Sequence, residues 1–306
     1  MSATAVDLFA GAGGFSEGAR AAGVRVLWAA NHWPAAVQVH ANNHPATAHV
    51  CQDLQQADWS QVPAHDLLLA SPACQGHSRA RGKDRPHHDV ARSTAWAVVS
   101  CAEFHRPAAV VVENVPDFQR WALFPAWRMA MEALGYALST QVLDAADTGV
   151  PQNRERLFVV GMRGKAYLPV PAALADHAPI SGVVDFAAGS WANVDRPGRS
   201  VKTLARVARG RAEFGPRFVM PFYGSGSGLT GRSLGRPLGT VTTRDRWALV
   251  DGDRMRMLTV PEYAQAMGFP ADYRLTGKRV TDLHLLGNAV PPPLAAHVIR
   301  NVLEVA

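Results

Sequence analysis

Cys74 comes shortly after the apolar run 66–70, in the string Ser71-Pro72-Ala73-Cys74-Gln75-Gly76-His77-Ser78, and a basic polar stretch, 79–85, follows it. A thiol at the end of a buried strand, beside positive charge, can ionise and act as a nucleophile. A second apolar run, 108–113, closes on Glu113 and Asn114, placing a carboxyl group and an amide at the end of another strand. Gln152-Asn153-Arg154-Glu155-Arg156 opens a third run, 157–161. Arg154 and Arg156 are two residues apart and so share one face of an extended chain. Near the N-terminus, Asp7-Leu8-Phe9-Ala10-Gly11-Ala12-Gly13-Gly14-Phe15 is a strand, a glycine-rich turn and a helix start, where backbone amides can approach a ligand closely. It lacks the ordered GxGxxG spacing of a dehydrogenase dinucleotide site.

The elements that must position these residues can be read from the hydrophobic pattern. The first half alternates short apolar runs (6–9, 24–30, 66–70, 108–113, 157–161) with stretches of helical periodicity such as 93–105 and 126–134. Several runs are continuous, as in strands buried on both faces, so a doubly wound, mostly parallel α/β sheet is expected. Residues 164–240 are rich in Pro and Gly, with short β-type runs at 217–223 and 240–243. They predict a small, irregular, mostly non-helical module. Thr259-Val260-Pro261-Glu262 reads as a capping box starting a helix through Met267, and a last helix is expected over 293–305.

Composition narrows the function class. With 48% apolar and 18% charged residues in 306, a packed core is expected rather than disorder. No apolar run reaches 18 residues, and the N-terminus has no signal-peptide pattern, so a cytoplasmic protein is expected. Cys51, Cys74 and Cys101 form no CxxC pair, which argues against a zinc site or a disulfide framework. The net charge of +6 is uneven: residues 163–246 hold 13 Lys and Arg against 5 Asp and Glu, while the rest of the chain holds 18 against 20. One quarter of the chain thus carries the whole basic excess, as in a module that faces phosphates.

The strings DLFAGAGGF, PACQGHS, VVENVP, QNRERLFVVG and GNAVPPPLA occur in that order. In order and spacing the chain resembles the C5-cytosine DNA methyltransferase family over residues 5–162 and 237–300. The resemblance implies a Rossmann-like catalytic domain, 1–162 plus 254–306, and a small, basic, β-rich target-recognition module, 163–253. It implies S-adenosylmethionine as methyl donor and no metal. Double-stranded DNA would be the substrate of a monomeric enzyme of bacterial or phage type, acting at the nucleoid, with a cognate restriction endonuclease as a candidate partner. Cys74 would attack C6 of a flipped-out cytosine. Glu113, beside Asn114, would hydrogen-bond N3 and N4, and Arg156 with Arg154 would hold O2 and a nearby phosphate.

For the cofactor the resemblance points to Asp7, Phe9, Ala10, Gly11, Gly13, Gly14, His32, Trp33, Asp53, Leu54 and Pro72, and to Asn288, Ala289 and Val290, which would fold back beside the glycine turn. Gln75, Ser78, Arg79 and Arg81 would meet DNA from the loop after the nucleophile, and Arg196, Arg199, Arg206 and Arg209 from the module. Two departures stand out. Ala73 occupies the place where the family has proline before the nucleophile, and His32 the place of an acidic residue that binds ribose. An RNA cytosine methyltransferase and a non-catalytic DNA-binding homologue remain alternatives.

Overall fold

The computed structural model of the chain describes residues 2–73, 94–166, 169–173, 175–222 and 231–305. Its first half is a seven-stranded sheet among the described residues. The strands are β1 (Thr4–Leu8), β2 (Arg25–Asn31), β3 (Ala48–Cys51), β4 (Leu67–Ala70), β5 (Ala109–Asn114), β6 (Tyr136–Asp144) and β7 (Glu155–Arg163). Their order is β3-β2-β1-β4-β5-β7-β6. Strands β1 to β5 pair in parallel, whereas β7 runs antiparallel to both β5 and β6. The order reverses between β1 and β4, the switch point where open α/β sheets bind ligands at the carboxyl edge. The reversed strand has a direct effect on the site: the start of β7 lies beside the end of β5, so Leu157 and Phe158 pair with Asn114 and Glu113, and Arg156 reaches Glu113.

Both faces of this sheet are covered, which is why its strands read as continuous apolar runs. One face, with Leu8, Leu68 and Val112, packs against helices α3 (Trp96–His105) and α4 (Phe124–Ala133). The other, with Leu69, Val111 and Phe158, packs against Phe15 of α1 (Gly14–Ala21) and Leu294, Val298 and Ile299 of the C-terminal helix, Pro292–Val305. The chain therefore returns to its own beginning. The two helices touch through Gly18, where an added Cβ would stand 2.5 Å from that of Ala295.

A second, antiparallel sheet has five strands among the described residues. They are β8 (Ala192–Asn193), β9 (Arg217–Pro221), β10 (Arg232–Ser233), β11 (Trp247–Asp251) and β12 (Arg254–Met257). Its side chains alternate by face. Phe218, Met220, Ala248 and Val250 point one way, towards Val207. Val219, Trp247 and Leu249 point the other way, into a cluster with Ala36, Val39, Tyr263 and Leu283. Strand β12 hydrogen-bonds β11, so this sheet continues past the boundary expected at residue 253.

The module is mostly non-helical, but it contains one helix that the sequence did not reveal. Residues Val201–Phe214 form a 14-residue helix, α5, covering the sheet's outer face. The Ser200 side chain caps it by accepting from the Thr203 amide, a signal hidden among the surrounding Pro and Gly. Residues 240–243 form no strand. The Thr259–Glu262 capping box is present and starts α6 (Val260–Ala266), followed by α7 (Arg279–Asn288), which the hydrophobic pattern did not reveal, and α8 (Pro292–Val305).

The close return of the C-terminal segment is testable at Gly14, where an added Cβ would lie 2.0 Å from the Val290 carbonyl oxygen. Gly14→Ala should destabilise the fold by about 1–3 kcal/mol, because backbone must move to relieve the overlap. Urea unfolding of the two proteins checks it.

Candidate active site

A cleft of about 420 Å3 opens at the switch point. Phe9, Ala10 and Gly11 line it from the turn after β1. His32 and Trp33 come from the turn after β2, Asp53 and Leu54 from beyond β3, and Pro72 and Ala73 from beyond β4. Glu113 closes one end with Arg154 and Arg156, and Asn288, Ala289 and Val290 form the opposite wall. Phe9 adopts φ 60, a strained left-handed geometry for an aromatic residue that turns the chain sharply into the glycine loop. Asn31, Gln52, Ser71, Thr94 and His284 also line the cleft and were not singled out in the sequence. For Asn31, Gln52 and Ser71 the signal was position, since each is a polar residue at or just beyond a strand end; Thr94 precedes α3, and His284 sits within a helix that the hydrophobic pattern did not reveal.

Glu113 and Arg156 form a buried pair. Arg156 Nε lies 2.9 Å from Glu113 Oε1, with side chains only 12% and 7% exposed. Burial pushes the Glu113 carboxyl above its ordinary pKa, while the Arg156 and Arg154 charges pull it back. Glu113 is therefore an acid that holds a proton more readily than a surface glutamate, with a cation fixed beside it.

Arg154 serves a different purpose from the one its spacing suggested. It precedes β7, is 1% exposed, and donates to the carbonyls of Val241 (2.8 Å), Gly287 (2.8 Å) and Ala289 (2.9 Å). Its guanidinium borders the cleft but is engaged by backbone, joining the catalytic sheet, the module and the cofactor wall. Asn114 is likewise a positioning residue. It stands outside the cleft wall, donating through Nδ2 to the Pro72 carbonyl at 3.1 Å and accepting from the Val115 amide at 2.9 Å. On the next residue, the Ala73 amide donates to Thr94 Oγ1 at 3.2 Å. A proline at 73 would have no N–H for that bond, so here hydrogen bonding holds the approach to residue 74. Cys74 itself lies outside the described residues, as do Gln75, Ser78, Arg79 and Arg81.

Asp7, Gly13 and Gly14 also stand outside the cleft wall. Gly14 is pressed against Val290, and Gly13, at φ 89, caps α1 above His40, His44 and Tyr273. Asp7 is fully buried and accepts from Ser16 Oγ at 2.7 Å. Ser16 Oγ is 2.9 Å from His40 Nε2, and His40 Nδ1 is 2.8 Å from Nε2 of the half-buried His49. With Asp7 ionised, each group donates to the next in the direction His49, His40, Ser16, Asp7; with Asp7 protonated, every bond reverses. Burial raises the Asp7 pKa to about 7 and holds His40 well below its ordinary value. The sequence presented Asp7 as a cofactor ligand, whereas it lies under the glycine turn as the inner end of a hydrogen-bond chain.

In the module, Arg199 donates to the Val194 and Asn193 carbonyls and Arg206 to that of Pro221, whereas Arg196 and Arg209 are exposed. Part of the basic excess is thus structural. Arg256 pairs with Glu262 in the interior at 2.6 Å, and Arg232 donates to Asn153 and Pro237. Among the described residues no cluster of His, Cys, Asp and Glu could hold a metal, and no helix is long and apolar enough to cross a membrane.

Residues 3–182 and 201–304 match the sequence model of C-5 cytosine-specific DNA methylases. The chain belongs to that family. Similar curated proteins include Type II methyltransferase M1.HphI of Haemophilus parahaemolyticus, 28% identical over 99% of this chain and 87% of its own. Another is Type II methyltransferase M.HgiDI of Herpetosiphon aurantiacus, 30% identical over 95% of this chain and 91% of its own. The fold is shared with the Dnmt2 methyltransferase of S. pombe, with a TM-score of 0.69 and 16% identity over 100% of this chain and 99% of that one. It is shared too with the methyltransferase EhMeth of Entamoeba histolytica, at 0.70 and 15% over 100% and 99%. The protein is a DNA (cytosine-5) methyltransferase, and family membership implies S-adenosylmethionine as its methyl donor. The cleft suits such a molecule: it combines aromatic and aliphatic walls, the Asp53 carboxyl and a glycine-turn backbone at a switch point.

The methyltransferase's buried Asp7 makes stability pH-dependent. Because its folded pKa is raised from 3.8 to about 7, its contribution is present in full below about pH 4 and lost as pH rises through 7. Asp7→Asn should therefore gain on wild type between pH 5 and pH 8 by something on the order of 2–4 kcal/mol. Urea unfolding of both at each pH measures the difference; the neighbouring histidines are common to both and cancel.

Proposed function

We propose that the enzyme methylates C5 of a cytosine flipped out of duplex DNA through a covalent adduct between Cys74 and C6. The observation that carries this reading is the buried Glu113–Arg156 pair at the carboxyl edge, next to the backbone that leads into Cys74. Cytosine C5 is a weak nucleophile. When the Cys74 thiolate adds to C6, the ring gains an electron pair at C5 and negative charge towards N3 and O2. Glu113, its proton held by burial, protonates or hydrogen-bonds N3 and accepts from N4, while Arg156 faces O2. S-adenosylmethionine, when bound, supplies an electrophilic methyl group. Loss of the C5 proton to a base and expulsion of the thiolate restore the aromatic ring and free Cys74.

For the cofactor, Trp33 and Phe9 offer aromatic faces, Asp53 an acceptor for an amino group and His32 a ring nitrogen for a ribose hydroxyl. Asn288, Ala289 and Val290 close the wall. Residues 163–253, with β12, form the module that reads DNA, and the exposed Arg196 and Arg209 are the members of the predicted set best placed to meet phosphates. The Type II relatives support a place in a restriction–modification system; in this reading the enzyme acts as a cytoplasmic monomer on nucleoid DNA.

The test uses plasmid DNA copied with 5-fluoro-deoxycytidine triphosphate, whose C5 fluorine blocks the final elimination. Wild type with S-adenosylmethionine should form a denaturation-resistant protein–DNA adduct, and Cys74→Ser none; equal adduct in both would refute the nucleophile. RNA copied with the fluorinated nucleotide should form no adduct. Glu113→Gln should slow single-turnover methyl transfer about 100-fold while leaving DNA affinity within a few-fold. A loss below threefold would reduce Glu113 to a partner for Arg156.

A further inference from the structure

We infer that His284 is a positioning residue of the cofactor cleft, acting through Trp33. The inference rests on reading this cleft as the S-adenosylmethionine site. His284 lies on α7, one turn before Asn288, and borders the cleft with Trp33 and Asn288. Its centroid is 5.1 Å from that of Trp33, the planes inclined at 64°, which is an edge-to-face pair. Trp33 begins α2 (Pro34–Asn43) on the opposite wall, and its amide is held at 2.9 Å by Asn31 Oδ1. The backbone of Trp33 is thus fixed by Asn31, and the inclination of its indole by His284.

The other end of the imidazole reaches its own helix. Nε2 of His284 is 3.5 Å from Nδ2 of Asn288, four residues on. That contact is too long to fix a proton position. Partial burial lowers the pKa of His284 and favours its neutral ring. The imidazole reaches from α7 across the cleft mouth to the indole of Trp33. This arrangement depends on the fold of the C-terminal return, since α7 ends against the module: a Cβ on Gly287 would come within 2.3 Å of the Thr243 amide. His284 would thereby orient the Trp33 wall without itself being a ligand.

The experiment is a calorimetric titration of the full chain with S-adenosylhomocysteine. Wild type should bind, and His284→Ala should bind about fivefold more weakly, the size of a lost edge-to-face aromatic contact. His284→Phe, which keeps a ring edge but no acceptor, should recover affinity to within about twofold, and His284→Gln, which keeps an acceptor but no ring, should not. A merely structural role is separated by a double-mutant cycle: in a Trp33→Leu background, His284→Ala should have almost no further effect. Wild type that fails to bind S-adenosylhomocysteine would overturn the cofactor reading and this inference with it. Wild type that binds, with His284→Ala and His284→Gln binding equally well or the two losses fully additive, would overturn the positioning role alone.

Discussion

The guanidinium of Arg154 is the interaction on which the assembly of this enzyme turns. It is buried and charged, and three backbone carbonyls from two distant segments receive it. Hydrogen bonds to a charged group contribute about 1.5–3 kcal/mol each, and carbonyls left without a donor in the interior cost a similar amount. Its own backbone is held too, since the Arg154 amide donates to Asp144 at 2.7 Å. Gln152, equally buried, completes the grip by accepting from the Val241 amide at 2.7 Å, so both polar backbone atoms of Val241 belong to side chains of the same short string. The chain closes here: the catalytic sheet, the module and the returning C-terminal helices meet at a few atoms beside the active cleft.

The proposed chemistry depends on a second constraint, the reversed direction of β7. In an all-parallel sheet the residues at the start of a strand lie at the edge opposite those at the end of its neighbour. With β7 antiparallel, Arg156 near its start reaches Glu113 near the end of β5. Burial and cation then oppose each other at the carboxyl group, and burial is the larger effect. Asp7 shows the same balance without a cation: hydrogen bonding from Ser16 offsets only part of the desolvation.

The motifs that lie on strands and their carboxyl-side turns were legible in the sequence, because continuous apolar runs and glycine turns are local signals. Phe9, Ala10, Gly11, Trp33, Asp53, Glu113, Arg156 and Asn288 all border one cleft. What could not be read was anything decided by partners distant in sequence. Arg154 looked equivalent to Arg156, but its fate is set by carbonyls 87 and more residues away. Asp7 and Asn114 carry the same side chains that cofactor or substrate contacts would need, yet their neighbours are Ser16 and Pro72. Helix α5 was masked by flanking Pro and Gly, and α7 by a pattern without strong amphipathic contrast, which hid His284.

Val241 is held twice, through both of its peptide atoms and through a side chain buried in the inner apolar cluster. The position therefore asks for a small apolar residue and excludes proline, which would remove the amide that Gln152 needs. The outer face of the second sheet packs against α5, while the inner face packs on the catalytic half. The module is therefore built like an exchangeable cassette. Descendants could acquire new outer layers and new reading surfaces, provided that the inner apolar face and one unobstructed peptide at the junction were kept. Diversification of target sequence would then proceed without retuning the chemistry next door.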